Sequence, residues 1–118
     1  ENFLHGRPHL DDTIRRLQAF EKAGADVLYA PGLTEIDQVR TLCAALEKPV
    51  NVLAMPVFTM AALAEAGARR ISVGSKLTAC AFGAVERAAK EMLEQGSFAF
   101  AGDAMAYGRL QAMFAEDA

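Results

Sequence analysis

The ten residues Ala23 to Gly32, AGADVLYAPG, constrain the fold of this chain more than any other stretch. A helix end, a tight turn, a buried strand and a strand-end loop follow one another there, and the same order returns at Ala66 to Ser75 as AGARRISVGS. Gly24 and Gly67 stand just past apolar helical patterns, where only glycine takes the left-handed backbone angle at little cost. The short apolar run after each then reads as a strand. Between the two copies lies KPVNVLAMP, a further apolar run bounded by prolines. Strands separated by helical patterns at this rhythm predict parallel β-α-β architecture.

Taken in order, ENFLHGRPHL opens on what reads as the end of a strand and passes into a Gly and Pro loop. Asp11 or Asp12 is expected to cap a helix carrying Ile14, Leu17 and Phe20 on its apolar side. A strand over residues 26–30 follows, and then a second helix capped by Thr34 whose Ile36, Val39, Leu42, Cys43 and Leu46 form one stripe. The strand over residues 50–54 is apolar on both faces except at Asn51, so it belongs inside a covered sheet. Thr59 caps a short third helix, and a strand over residues 70–73 runs into Gly74 and Ser75. Ser75 is placed to cap the longest helix, Lys76 to Gln95, whose broad Ala-rich face includes Leu77, Ala81, Val85, Ala88, Met92 and Leu93. A last helical pattern spans residues 103–115.

Three strands and a stub at Phe3 fall short of a closed barrel, whose usual form takes eight strands and about 250 residues. The 118 residues therefore read as a single partial domain. An open sheet of so few strands should find the rest of its barrel or pair with copies of itself. The net charge of −3 is mild and no Lys or Arg run is present, which argues against a nucleic-acid partner. No apolar stretch reaches the roughly 18 residues of a membrane span, and Glu1, His5 and Arg7 stand where a signal peptide would be apolar. Cys43 and Cys80 lie within helical patterns and are expected to be reduced and buried, as in a cytoplasmic protein.

The stretches ENFLHGRP, DDTIRRLQAFEKAGADVLYAPG, KPVNVLA, RRISVGS and AFGAVERAAKEM resemble the isocitrate lyase and phosphoenolpyruvate mutase superfamily. The likeness covers nearly all of the chain. It is strongest to the C-terminal half of the branch holding methylisocitrate lyases, oxaloacetate decarboxylases and phosphoenolpyruvate mutases. The resemblance implies an α/β fold, the C-terminal part of a (β/α)8 barrel running from the tail of strand five through strand eight into C-terminal helices. It implies a homo-oligomer in which the helix over residues 76–95 packs on a neighbouring subunit. It also implies a Mg2+-dependent lyase of small 2-oxo or 2-hydroxy acids, working through an enolate by carbon-carbon cleavage or decarboxylation. The metal ligands of the family lie on early strands upstream of this sequence, as does an Arg two positions before Glu1, so the chain alone is expected to be inactive. A phosphonate-cleaving or mutase activity, and a non-catalytic half barrel that only oligomerises, are the alternatives.

By family position Glu1 belongs to the substrate shell, with Asn2 lining the mouth beside it; the plain reading of both is a loop end. Where relatives carry a His or Glu at the end of strand six, this chain has Pro31, followed by Gly32. Proline offers no proton and no charge, which disfavours mutase and full methylisocitrate lyase chemistry. Asn51 either points into the barrel with Leu53 or is a hydrogen-bonded structural residue. Gly74 and Ser75 sit where strand gives way to helix, a place where backbone N–H groups hold anions or where Ser75 is an ordinary cap. The sequence there is no Walker loop, since Ser75 separates Gly74 from Lys76. His5 and His9 have a helical ligand spacing, but Gly6 and Pro8 preclude the helix, and Asp11 and Asp12 are accounted for by capping.

Overall fold

The structure, a computed structural model, describes residues 2–115. The chain divides into two compact units, one ending at Gly74 and the other beginning at Ser75. The first unit opens with a single 3-10 turn, Phe3–His5, and continues through α1 (Leu10–Lys22), β1 (Leu28–Tyr29), α2 (Ile36–Ala44), β2 (Val50–Leu53), α3 (Met60–Glu65) and β3 (Arg70–Ser72). The second holds α4 (Lys76–Gln95), a 3-10 segment at Ala99–Asp103 and α5 (Tyr107–Ala115). Among the described residues no helix is long and apolar enough to cross a membrane.

The three strands form a parallel sheet in the order β1-β2-β3. Leu28 pairs with Val50 and Tyr29 with Asn51, and on the other side Asn51 pairs with Arg70, Val52 with Ile71 and Leu53 with Ser72. Because side chains alternate between faces, this register sorts the sheet in two. Leu28, Val50, Val52 and Ile71 share one face with Leu17 of α1, Val39 and Leu42 of α2 and Leu63 of α3, and together they make the core. Tyr29, Asn51, Leu53, Arg70 and Ser72 share the other.

The turns that close α1 and α3 follow the sequence expectation. Gly24 and Gly67 have φ of +97° and +99°, and the Ala25 and Ala68 amides bond back to the Phe20 and Leu63 carbonyls. Thr59 caps α3 as expected: its backbone is extended (φ −108°, ψ 158°) and its hydroxyl accepts from the Ala62 amide at 3.1 Å.

Several local expectations are corrected. α1 begins at Leu10 behind His9. Asp11 and Asp12 therefore lie in its first turn, where Asp12 accepts from Asn2, Arg15 and Arg16 instead of capping. α2 begins at Ile36 behind Glu35, two residues beyond the Thr34 cap. Ser75 precedes α4 without a side-chain cap bond, because its backbone has already turned (φ −85°, ψ 8°) away from the extended form that swings a cap oxygen under the first amides. The strands are shorter than their apolar runs, and the expected stub at Phe3 is a 3-10 turn. Phe20, expected on the buried side of α1, is 55% exposed. Both cysteines are free, but Cys43 is half-buried and Cys80 exposed, since no residue of α4 is buried within its unit.

Candidate functional site

In parallel α/β sheets ligands gather at the carboxyl ends of the strands. Here β1 ends on Tyr29 and is followed by Ala30, Pro31 and Gly32, β2 ends on Leu53 before Ala54, and β3 ends on Ser72 before Val73 and Gly74. The face opposite the helices leads up to them. Asn51 is only 4% exposed, and both ends of its carboxamide are engaged. Arg70 Nη1 donates to Asn51 Oδ1 at 3.1 Å, and Asn51 Nδ2 donates to Ser72 Oγ at 3.1 Å. A buried amide that satisfies its polar atoms in this way fixes its own orientation. Asn51 is thus hydrogen-bonded, and by alternation it lies on the face of the sheet opposite the one packed on α1, α2 and α3. Above it Leu53 reaches over the last turn of β3: a Cβ on Gly74, whose φ is +56°, would meet Leu53 Cδ1 at 3.3 Å.

Asn2 and Pro31 line a different part of the first unit. Together with Leu4, Thr13, Arg16 and Tyr29 they border a cavity of about 480 Å³ beside β1, the strand that forms one edge of the sheet. Asn2 ties the opening turn to α1. Its Nδ2 donates to Asp12 Oδ2 at 2.8 Å and to Thr13 Oγ1 at 3.2 Å, while its carbonyl accepts from the His5 and Arg7 amides. These bonds, Asn2 first and Arg16 next, hold the Asp12 carboxyl below its ordinary range. Gly32 serves the same junction, since a Cβ there would lie 2.9 Å from Phe3 Cβ at a φ of +93°. Glu1 lies outside the described residues. Ser75 belongs to the second unit, at the start of α4.

The structure thus places Asn51, Leu53 and Gly74 on one side of the sheet and groups Asn2, Pro31 and Gly32 around the edge at β1. Arg70 and Ser72 were not singled out by sequence reasoning, although alternation from Asn51 together with the β2–β3 register puts them on its face. Among the described residues no three of His, Cys, Asp or Glu come together as a metal group. His5 and His9 flank a loop whose Gly6 is left-handed at φ +67°.

Residues 1–93 match the family described as phosphoenolpyruvate phosphomutase. A crystal structure of a Burkholderia cenocepacia protein provisionally named a lyase/mutase superposes with a TM-score of 0.92 at 45% identity, over 98% of this chain and 42% of that one. A second from the same organism, provisionally named a phosphonomutase, gives a TM-score of 0.64 at 38% identity, over 75% of this chain and 34% of its own. Two uncharacterised proteins from two strains of Mycobacterium tuberculosis are 38% identical over 71 residues, 58% of this chain and 28% of theirs. The chain thus spans less than half the length of each of these relatives. The three-stranded parallel sheet, with its helices in alternation, is consistent with part of a TIM-type barrel. The chain belongs to the phosphoenolpyruvate phosphomutase family, within the isocitrate lyase and phosphoenolpyruvate mutase superfamily of lyases and mutases.

Proposed function

We propose that this chain supplies the closing strands and C-terminal helices of a barrel enzyme that cleaves or decarboxylates small 2-oxo or 2-hydroxy acids through an enolate. The observation that carries the choice of chemistry is Pro31, which follows β1 at its carboxyl end and borders the cavity along that edge of the sheet. A proline side chain has no titrating group, so no general acid or base acts from that position. Loss of the C4 carboxylate of oxaloacetate, which stands β to the 2-oxo carbon, needs none. The carbon-carbon bond breaks, its electron pair moves toward the 2-oxo oxygen, and an enolate results. Cleavage of a 2-hydroxy acid instead requires a base that removes the hydroxyl proton.

Mg2+ is the cofactor expected from the family. The described residues do not fit it unaided, because the strand ends carry Pro31, Ala54 and Gly74 and no group of three ligands gathers among them, while a hard cation takes about six oxygens. The chain's own residues shape and polarise the strand ends: the Leu53 side chain packs over Gly74, and Asn51 and Ser72 supply hydrogen-bonded polar groups beside it.

The full-length protein should therefore turn over oxaloacetate with a higher specificity constant than methylisocitrate, measured side by side by release of pyruvate or succinate. A higher constant for methylisocitrate would overturn the role given to Pro31. The phosphonomutase likeness favours a second reading, a phosphonate-cleaving or mutase activity, which phosphorus-31 NMR of phosphonopyruvate would reveal as free phosphate or as phosphoenolpyruvate. A chain inactive on all three and associating only with itself would be the half barrel without catalysis.

A further inference from the structure

We infer that Arg70 is a positioning residue: it orients the Asn51 carboxamide so that the Ser72 hydroxyl is left to donate to an oxyanion of a ligand bound at the carboxyl ends of the strands. This rests on the lyase and mutase reading above and adds to it the donor that would meet a carboxylate or 2-oxo oxygen.

The direction of the relay follows from hydrogen-bond inventory. A guanidinium has donors only, and a carboxamide has one accepting and one donating end. Arg70 Nη1 at 3.1 Å from Asn51 Oδ1 therefore commits Oδ1 to the arginine and Nδ2 to Ser72 Oγ, also at 3.1 Å. Ser72 Oγ accepts in that bond, so its own hydrogen stays available to donate elsewhere. The strand register sets where it can be used. Arg70 pairs with Asn51, and Ser72 pairs with Leu53, two residues nearer the carboxyl end, a step of about 6.6 Å along the strand. Arg70 lies below the ligand level and acts through Asn51.

The charge on Arg70 strengthens the relay. Among the described residues the ion pairs involve Arg15, Arg16, Arg40 and Lys90, and none neutralises Arg70. A charged donor makes a stronger bond than a neutral one, and bonds in series polarise one another. Both effects make the Ser72 hydroxyl a better donor. Methionine at position 70 would keep much of the bulk and remove the donor, leaving the carboxamide free to turn over.

The test uses the full-length protein with oxaloacetate and phosphonopyruvate as substrates, and the side-chain amide signals of Asn51 by nitrogen-15 NMR, identified by their loss in Asn51→Asp. Ser72→Ala and Arg70→Met should each lower kcat/KM about tenfold, the worth of one charge-assisted bond. The double variant should lose little more than either alone. Arg70→Lys, which restores a charged donor, should recover most of the loss. In Arg70→Met the Asn51 amide protons should exchange faster with solvent, and in Arg70→Lys they should regain protection. Additive losses near a hundredfold, or unchanged Asn51 amide exchange in Arg70→Met, would overturn the relay. If neither compound is turned over, the activity reading falls by itself and the amide exchange alone decides the relay.

Discussion

Gly24 and Gly67 offer a matched pair in which backbone and packing costs separate. Both follow a helix in the same turn, with φ of +97° and +99°. A Cβ on Gly24 meets nothing within 4 Å, whereas one on Gly67 would lie 2.9 Å from Cys43 Cβ and 3.7 Å from its Sγ. Gly24→Ala therefore reports the backbone alone. An L side chain at positive φ costs about 1–2 kcal/mol, and the stiffer unfolded chain returns about 0.4–1 kcal/mol, leaving a net loss near 1 kcal/mol. Gly67→Ala bears the same cost and also crowds α2, whose Val39 and Leu42 are fully buried. Overpacking adds about 1–3 kcal/mol, for a total of about 2–4 kcal/mol. Cys43→Ala should rescue little of the Gly67→Ala loss, because alanine keeps the Cβ that makes the close contact. Cys43→Gly should relieve it, once the cost of about 1 kcal/mol for glycine within a helix is subtracted. Urea unfolding at constant m, arranged as a double-mutant cycle, measures each part. Equal losses at the two glycines, or a rescue by Cys43→Ala as full as that by Cys43→Gly, would refute the reasoning.

Thr59→Ala should cost about 1 kcal/mol through loss of its bond to the Ala62 amide, while Ser75→Ala, which removes no cap bond, should leave the urea midpoint within error of the parent. Asp12 has a depressed pKa, from its bond with Asn2 first and with Arg16 next. Its contribution is thus present above the ordinary value of 3.8 and is lost as pH falls through the lower folded value. Asn2→Ala should move the Asp12 titration, followed by carboxyl carbon NMR, back up toward 3.8; an unmoved titration would count against the tie between Asn2 and α1. We propose that the protein self-associates through α4, whose Leu77, Val85 and Leu93 are exposed; Val85→Glu should then shift the species seen by light scattering toward monomer or aggregate, and a stable monomer before the substitution or an oligomer unaltered by it would count against that interface.

The order of elements was legible in the sequence because it depends on local chemistry. The glycines at positions 24 and 67 are needed for positive φ wherever the helices pack, and an apolar run after such a turn has few choices. The helix over residues 76–95 ends at Gly96, in the left-handed form at φ +64°, which the sequence marks equally plainly. Helix starts were less legible. Thr34, Asp11, Asp12 and Ser75 all have cap chemistry, but a cap also needs an extended backbone at that residue, and the preceding loop decides this. Thr59, at ψ 158°, meets the condition, and Ser75, at ψ 8°, does not. Burial within α4 was beyond local reading altogether. Its apolar face is real in the pattern, yet Leu93 is 87% exposed, because periodicity shows which residues share a face and is silent on what covers it.

The pairings of the candidate site were illegible in the sequence, and Arg69 and Arg70 show why. Arg69 precedes β3 and Arg70 opens it, and neighbouring side chains of extended chain point to opposite faces, so one of them faces the helices and the other faces away. Nothing in the sequence chooses between them, because a slip of one residue against β2 would exchange their faces. The observed register makes the choice. The Arg69 amide donates to the Val50 carbonyl at 3.1 Å, and its guanidinium charge is felt by Cys43 of α2, whose thiol is otherwise pushed up by burial. Arg70 is thereby turned to Asn51 and Ser72. The choice is reinforced by burial, since the slipped register would carry Ile71 out of the core and Ser72 into it. Ile71 thus sets the face on which Arg70 acts: an apolar side chain that belongs to the packing decides which of two equal charges stands beneath the mouth of the sheet.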